Sequence, residues 1–403
     1  MKELRFLLNI RKLTNFLSYM SDSKTAVVMS GLPEVHLSLF RRIQFSVHDP
    51  VVLIELEGGD KKVLILRDIE MERARAKARV TDVHCPADFA PAGGLSGDRE
   101  TATAQATVEC LRQHGIELVY GDRLLPLAYV DRIQKAGIQV QFDPDLGVLE
   151  RRQKTEEEVA WLREAQGVTE QAIEMVCRAI AQADARSDGV LESKGQALTS
   201  EALRFEVDKF FLKQGYGGDP AIIAAGPSAS DCHYLGSGEI KTGEPVIVDI
   251  FPKNRATQYC GDSTRTVVHG DIPDEVIRMH TAVQEAKQAG MNTTRAGVGG
   301  QVVHEATLAS LLASGFASGL PSSDDPDSYC AMTHGTGHGI GLEVHEPPLL
   351  DYKGLELVSG DALTIEPGLY SKSIGGVRLE DMVIVREDGC ENLNKLPEDL
   401  DWK

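Results

Sequence analysis

Apolar positions along the chain change period partway. From about Thr25, TAVVMS and VVLIELEGGDKKVLILRD carry continuous apolar runs broken by short polar pieces, which predicts strands, the last two joined as a hairpin across Gly58, Gly59 and Asp60. Residues 101–114 run without Gly or Pro to Gly115 and read as a helix. IELVYGD then reads as a strand, LPLAYVDRIQKAG as a helix closed by Gly137, and IQVQF as another strand. This pattern predicts a smaller α/β domain over residues 25–153, preceded by an N-terminal extension over residues 1–24. The domain holds no grouping of histidines or paired carboxylates that reads as a site, so packing, oligomerisation or the wall of a cleft is its expected role.

Helical spacing takes over at Thr155, where T-E-E-E forms a capping box with Glu158, followed by Val159, Leu162, Ala165, Ile173 and Val176. A polar stretch from Ala185 to Ser200 precedes a second helix, SEALRFEVDKFFLKQG, stopped at Gly215. Two strands, IIAAGP and PVIVDIF, come next; helices around DEVIRMHTAVQEAKQAG and VVHEATLASLLASG follow, and then short strands to the end. Helices grouped with antiparallel strands predict an α+β domain over residues 154–403.

Composition narrows the partners. The 403 residues are 42% hydrophobic and 26% charged, which suits a folded chain of two or three domains and excludes a disordered one. With 61 acidic against 42 basic side chains the formal charge is -19, which repels phosphate backbones and anionic bilayers. Neither nucleic acid nor membrane is an expected partner. Seven cysteines are scattered without a CxxC spacing and read as reduced thiols. The apolar runs before Lys24 are too short for a signal peptide or a membrane span, so the expected location is cytoplasmic.

Several carboxylates sit where solvent should not reach. Asp249 lies inside PVIVDIF, Glu366 inside ALTIEPG, Glu380 and Asp381 inside VRLEDMVIV, and Asp262 just before a Thr-rich strand in CGDSTRTVV. A buried, unpaired carboxylate costs several kcal/mol even after relaxation, so each needs a cation, a hydrogen-bonding shell or a raised pKa. HGTGHGIGLEVHEPP adds His334, His338 and His345 among four glycines, a composition that suits close backbone approach better than a helix. His233, in SASDCHYLG, is a further candidate.

Charge arithmetic favours one kind of site. Four carboxylates and one imidazole carry a charge of -4, which two divalent ions cancel. A donor set rich in oxygen and free of thiolate suits manganese or cobalt better than structural zinc. Two such ions about 3.5 to 4 Å apart form a hydrolytic arrangement in which water ionises near neutral pH.

The strings VIVDIF with GDSTRT, HGTGHGIGLEVHEPP, LTIEPGLY and GVRLEDMVIV resemble, in order, those of the metal-dependent Xaa-Pro peptidases, aminopeptidase P and prolidase. These belong to the pita-bread, creatinase/methionine aminopeptidase-like family, and the similarity runs from about Lys154 to the C-terminus. The resemblance implies a C-terminal pita-bread catalytic domain behind a creatinase-type α/β domain, working as a homodimer. It implies Asp249, Asp262, His338, Glu366 and Glu380 as metal ligands, with Asp262 and Glu380 bridging two ions, manganese first and cobalt or zinc as alternatives. His233, His334 and His345 fall on the family's substrate and transition-state histidines, and Arg378 on the arginine of the proline-handling branch.

One departure concerns Asp249 and Asp262, thirteen residues apart, two more than is usual, with Phe251 where the family commonly has glycine. The extra residues are expected to lengthen the turn; a one-residue slip would instead face a ligand away from the site.

The implied reaction is hydrolysis of the bond between an N-terminal residue and a following proline in a small peptide. Glu366 would relay the proton, His345 polarise the oxyanion, and His233 and His334 orient the substrate, with His233 near the proline. Arg378, beside the ligand strands, must be paired to tolerate burial. Alternatives are a creatinase-like hydrolase of a small non-peptide amide or amidine and a non-catalytic pita-bread scaffold, both of which replace ligands that this chain keeps. Methionine aminopeptidase lacks the first domain and the VHE and VRLED contexts.

Overall fold

The computed structural model describes residues 24–403. The N-terminal extension expected over residues 1–24 lies, apart from Lys24, outside the described residues. Two compact units divide between Arg151 and Arg152.

The first unit is a mixed sheet with helices on both faces. Its strands are β1 (Thr25–Gly31), β2 (Val51–Leu56), β3 (Lys61–Ile65), β4 (Asp82–His84), β5 (Leu118–Gly121) and β6 (Gln139–Phe142), in the order β4-β3-β2-β1-β5-β6. The hairpin between β2 and β3 forms as expected, turning through Gly58 and Gly59 at φ of 76° and 91°, a conformation that glycine adopts without strain. The continuous apolar runs are explained by burial on both faces. Val28, Val52, Ile54 and Ile65 pack with Leu111 and Ile133 of the helices Arg99–Gln113 and Leu127–Lys135, whereas Met29, Leu53 and Leu64 pack with Leu39 and Ile43 of Leu37–Ile43. Alternate residues of each strand thus feed two separate cores.

The second unit is α+β. Helix α1 (Glu156–Ala181) opens on the capping box read from sequence: Thr155 Oγ1 accepts from Glu158 N–H, and Glu158 Oε2 accepts from Thr155 N–H. Helix α2 (Ser200–Gln214) ends on Gly215 at φ 78°. The polar stretch expected between them contains three short strands, Asp184–Ala185, Leu191–Ser193 and Gln196–Ala197, because Val190, Leu191 and Leu198 are buried and anchor it.

Three groups of antiparallel strands carry the candidate residues. Strands β7 (Ile222–Ala225), β8 (Pro245–Ile250) and β9 (Ser263–Val268) pair in that order. Helices α3 (Asp274–Thr293) and α4 (Gly300–Ala313) follow. A second group includes β10 (Gly337–Gly339), β11 (Glu346–Leu350), β12 (Ala362–Ile365), β15 (Asp381–Arg386) and β16 (Gly389–Asn392). In the third, β13 (Gly368–Ser371) pairs with β14 (Gly375–Arg378). Apolar residues on α1, including Ile173 and Val176, pack against Val246, Val248 and Val267 of β8 and β9, which fixes the strands that bear the carboxylates.

Candidate metal centre

Register decides which carboxylates converge. Asp249 on β8 lies opposite Thr264 on β9, and Asp262, two residues before Thr264, shares its face by alternation. The thirteen-residue spacing therefore causes no slip. The additional residues form a turn in which Asn254 Oδ1 accepts from the N–H of Ala256 and Thr257, and Asp249 remains buried.

His338 enters on β10, where glycine is required on both sides. A Cβ at Gly337 would lie 2.0 Å from the Thr364 carbonyl oxygen, and one at Gly339 would lie 2.4 Å from that of Pro347. The Gly-rich string is thus a close-approach strand. His338 Nδ1 lies 3.1 Å from the Gly339 carbonyl, an acceptor only, so Nδ1 carries the proton and Nε2 presents a lone pair. That Nε2 lies 3.8 Å from Asp262 Oδ2 and 3.5 Å from Glu366 Oε1.

Asp262, His338 and Glu380 each offer one ligand atom, all within 4.8 Å of one another, and all three residues are buried. Glu366 sits immediately beyond β12, its side chain 18% exposed, facing His338. Asp249 is set differently. Its Oδ2 accepts from Arg378 Nη2 at 2.6 Å, while its buried Oδ1 lacks a hydrogen-bond partner. Arg378 is the paired arginine that its burial demands, since it also donates from Nη1 to Tyr370 Oη at 2.9 Å and from Nε to Thr264 Oγ1 at 3.2 Å.

The other histidines surround this group. His334 Nδ1 donates to the Gly335 carbonyl at 2.7 Å, so its Nε2, 2.7 Å from Tyr370 Oη, accepts the phenol proton. Arg378, Tyr370 and His334 thereby form a directed chain. The His345 ring lies 4.3 Å from that of His338 and is solvent-exposed. His233 is exposed on a loop whose Cys232 carbonyl lies 3.4 Å from Arg378 Nη1.

The electrostatics call for cations. Burial, reinforced by the charge of Glu380, raises the Asp262 carboxyl well above the usual carboxylate range, and burial with the charge of Glu366 does the same to Glu380. Burial and Asp249 push Glu366 up to about 8. Burial holds His338 down to about 4 and, with Arg378 beside it, His334 to about 3, so both imidazoles are neutral at pH 7. Three carboxyls driven toward their neutral form, a buried carboxylate oxygen without a partner and an imidazole lone pair are the donor set that divalent ions satisfy.

Asp381 separates from this group. Burial alone would raise it, but Arg265 at 2.8 Å and Lys287 at 2.6 Å hold its carboxyl below the usual range. It is a structural carboxylate among catalytic candidates; strand context alone does not separate it from Glu380, because its two cations are 116 and 94 residues away, and only the family resemblance left it out of the ligand set. Thr264 and Tyr370 were not singled out either, although both fall within the GDSTRT and LTIEPGLY strings. Thr264 Oγ1 donates to Glu380 Oε2 at 2.7 Å.

Inward carboxylates and an imidazole on antiparallel strands, in the second of two units, define the pita-bread class of metal-dependent hydrolases. A family model described as metallopeptidase family M24 matches residues 160–387, more than half of the chain, and the chain belongs to that family. A probable dipeptidase PepE of Mycobacterium tuberculosis is 36% identical over 181 residues, 44% of this chain and 45% of the relative. An Xaa-Pro dipeptidase of Pyrococcus furiosus is 27% identical over 237 residues, 58% of this chain and 64% of the relative. The matched stretch thus spans about half the length of the mycobacterial relative. Among solved structures, an Xaa-Pro dipeptidase of Bacillus anthracis superposes with a TM-score of 0.76 at 23% identity, covering 97% of this chain and 99% of its own. An X-Pro aminopeptidase of Thermotoga maritima gives 0.75 at 21% identity, over 93% and 96%. These likenesses establish the two-domain pita-bread fold. No helix among the described residues is long and apolar enough to cross a membrane.

Proposed function

We propose that the chain is a dinuclear-metal hydrolase that cleaves the bond between an N-terminal residue and proline in small peptides. The convergence of Asp262, His338 and Glu380 within 4.8 Å, in an M24 domain, carries this reading. Asp249 through its unpartnered Oδ1 and Glu366 beside His338 would join Asp262, His338 and Glu380 in holding the ions. Bound divalent ions supply Lewis acidity and lower the pKa of water toward neutrality. The oxygen-rich, thiolate-free donors favour manganese, with cobalt or zinc as substitutes.

The protein's own groups divide the remaining work. Glu366, whose carboxylate faces His338, takes a proton from the attacking water and relays it to the leaving proline nitrogen. His345, exposed beside His338, donates to the developing oxyanion. His334, fixed by Tyr370, and His233, on the loop above Arg378, orient the peptide. Arg378 holds the Asp249 carboxylate in place through a hydrogen bond to Oδ2. The free cysteines support a reducing compartment such as the cytoplasm; the resemblance supports a homodimer. The retained ligand set favours this reading over a creatinase-like hydrolase or a scaffold. Purified protein with manganese should release proline from Xaa-Pro peptides; no turnover across di- and tripeptides would overturn the proposal.

A further inference from the structure

Helix α1 bears a fully buried glutamine whose amide grips the backbone of a candidate ligand. Gln166 Oε1 accepts from Asp262 N–H at 3.0 Å, and Gln166 Nε2 donates to the Asp262 carbonyl at 2.9 Å. The amide thus pairs with both backbone groups of a single residue, as a neighbouring strand would. The same Nε2 also lies 3.1 Å from Asn394 Oδ1. Asn394 passes the connection on: its Oδ1 accepts from Met382 N–H at 2.8 Å and its Nδ2 donates to Ser263 Oγ at 2.9 Å. Ser263 Oγ in turn donates to the Glu380 carbonyl at 2.8 Å.

Close packing makes this grip rigid. A Cβ at Gly261 would lie 2.1 Å from Thr169 Oγ1 and 2.7 Å from the Ala165 carbonyl, so only glycine lets α1 seat against the residue before Asp262. The helix face bearing Ala165, Gln166 and Thr169 therefore rests directly on the approach to the site. Asp262 and Glu380 are 118 residues apart in sequence, on separate strand groups, and this relay connects their backbones from behind. An amide that satisfies the buried N–H and C=O of one residue together limits rotation about that residue's N–Cα and Cα–C bonds more than either hydrogen bond alone.

We infer that Gln166 and Asn394 are positioning residues, which set the separation of Asp262 and Glu380 and thereby the affinity for the shared metal pair. The inference rests on the ligand assignment proposed above, but not on the identity of the substrate. Hydrogen-bond partners behind metal ligands typically contribute about 10- to 100-fold in affinity, and a relay with a shared bond should show non-additive losses.

The test is calorimetric titration of manganese into the full-length chain and its Gln166→Leu, Asn394→Ala and doubly substituted variants. The melting temperature of each metal-free protein is recorded alongside, and the electron paramagnetic resonance spectrum of the loaded one. Each single variant should bind the ions about tenfold more weakly and show altered coupling between them, and the double variant should lose less than the product of the two. Melting temperatures lowered with unchanged manganese affinity and spectrum would reduce both residues to structural parts and overturn the inference. Should Gln166→Leu fail to fold, Asn394→Ala, at a partly exposed position in the C-terminal tail, decides the matter alone. Wild-type protein that binds two ions without releasing proline would defeat the substrate assignment and leave this inference standing.

Discussion

Arg378 and Asp249 form a buried ion pair at 2.6 Å, their side chains 3% and 11% exposed, and the pair leaves the second Asp249 oxygen unpartnered. Removing one member of a buried pair leaves an uncompensated charge, at a cost of about 3 to 5 kcal/mol. Arg378→Met should therefore destabilise the metal-free protein by about 3 kcal/mol in urea unfolding. Manganese should recover part of that loss, because a divalent ion can take the place of the guanidinium charge beside Asp249.

Metal removal should be visible in stability before it is measured in turnover. The buried Asp262 and Glu380 carboxyls repel one another and are raised by burial, so a chelator returns the site to its least favourable electrostatic state. Manganese at 100 times its Kd should add about 2.7 kcal/mol to unfolding free energy. Differential scanning fluorimetry with and without chelator checks this, and an unchanged melting temperature would count against a metal centre here.

Thr264 offers a conservative probe of ligand orientation. Its hydroxyl donates to Glu380 Oε2 and accepts from Arg378 Nε, so Thr264→Val removes both bonds with little change of volume. Loss of a partner behind a ligand should cost roughly tenfold in metal affinity. Isothermal titration of this variant, compared with wild type, reads the effect without any substrate.

An acid-side loss of stability should trace partly to His280 on α3. Its buried ring donates from Nε2 to the Glu398 carbonyl at 2.6 Å, and burial lowers its pKa. The folded chain therefore binds fewer protons than the unfolded one below the free-histidine value of about 6.5. This contribution is present above that pH and is lost as the pH falls through the depressed folded value. His280→Gln should flatten the decline in unfolding free energy between pH 7 and pH 5, and an unchanged slope would contradict the assignment.

Local pattern carried much of the fold because the signals were local. The Thr155 and Glu158 capping box, the Gly58 and Gly59 hairpin and the Gly215 helix stop each depend on residues within a turn of one another. The candidate site was legible for a different reason: ionisable residues inside apolar strands stand out against their surroundings, as Asp249 and Glu366 do. What stayed hidden depends on distant partners. Asp381 has the same strand context as Glu380 yet is neutralised by Arg265 and Lys287, and without the family resemblance no residue near it in sequence marks the difference. Gln166 reads as an ordinary polar helix position until Asp262 is brought against it.

The central claim is tested most directly by adding manganese stepwise to metal-free protein while following proline release from an Xaa-Pro dipeptide. The account predicts no release without metal, activity that rises to a plateau at two ions per chain, and its abolition by Glu366→Ala. A fully loaded protein that leaves the dipeptide and its longer Xaa-Pro counterparts intact would contradict it.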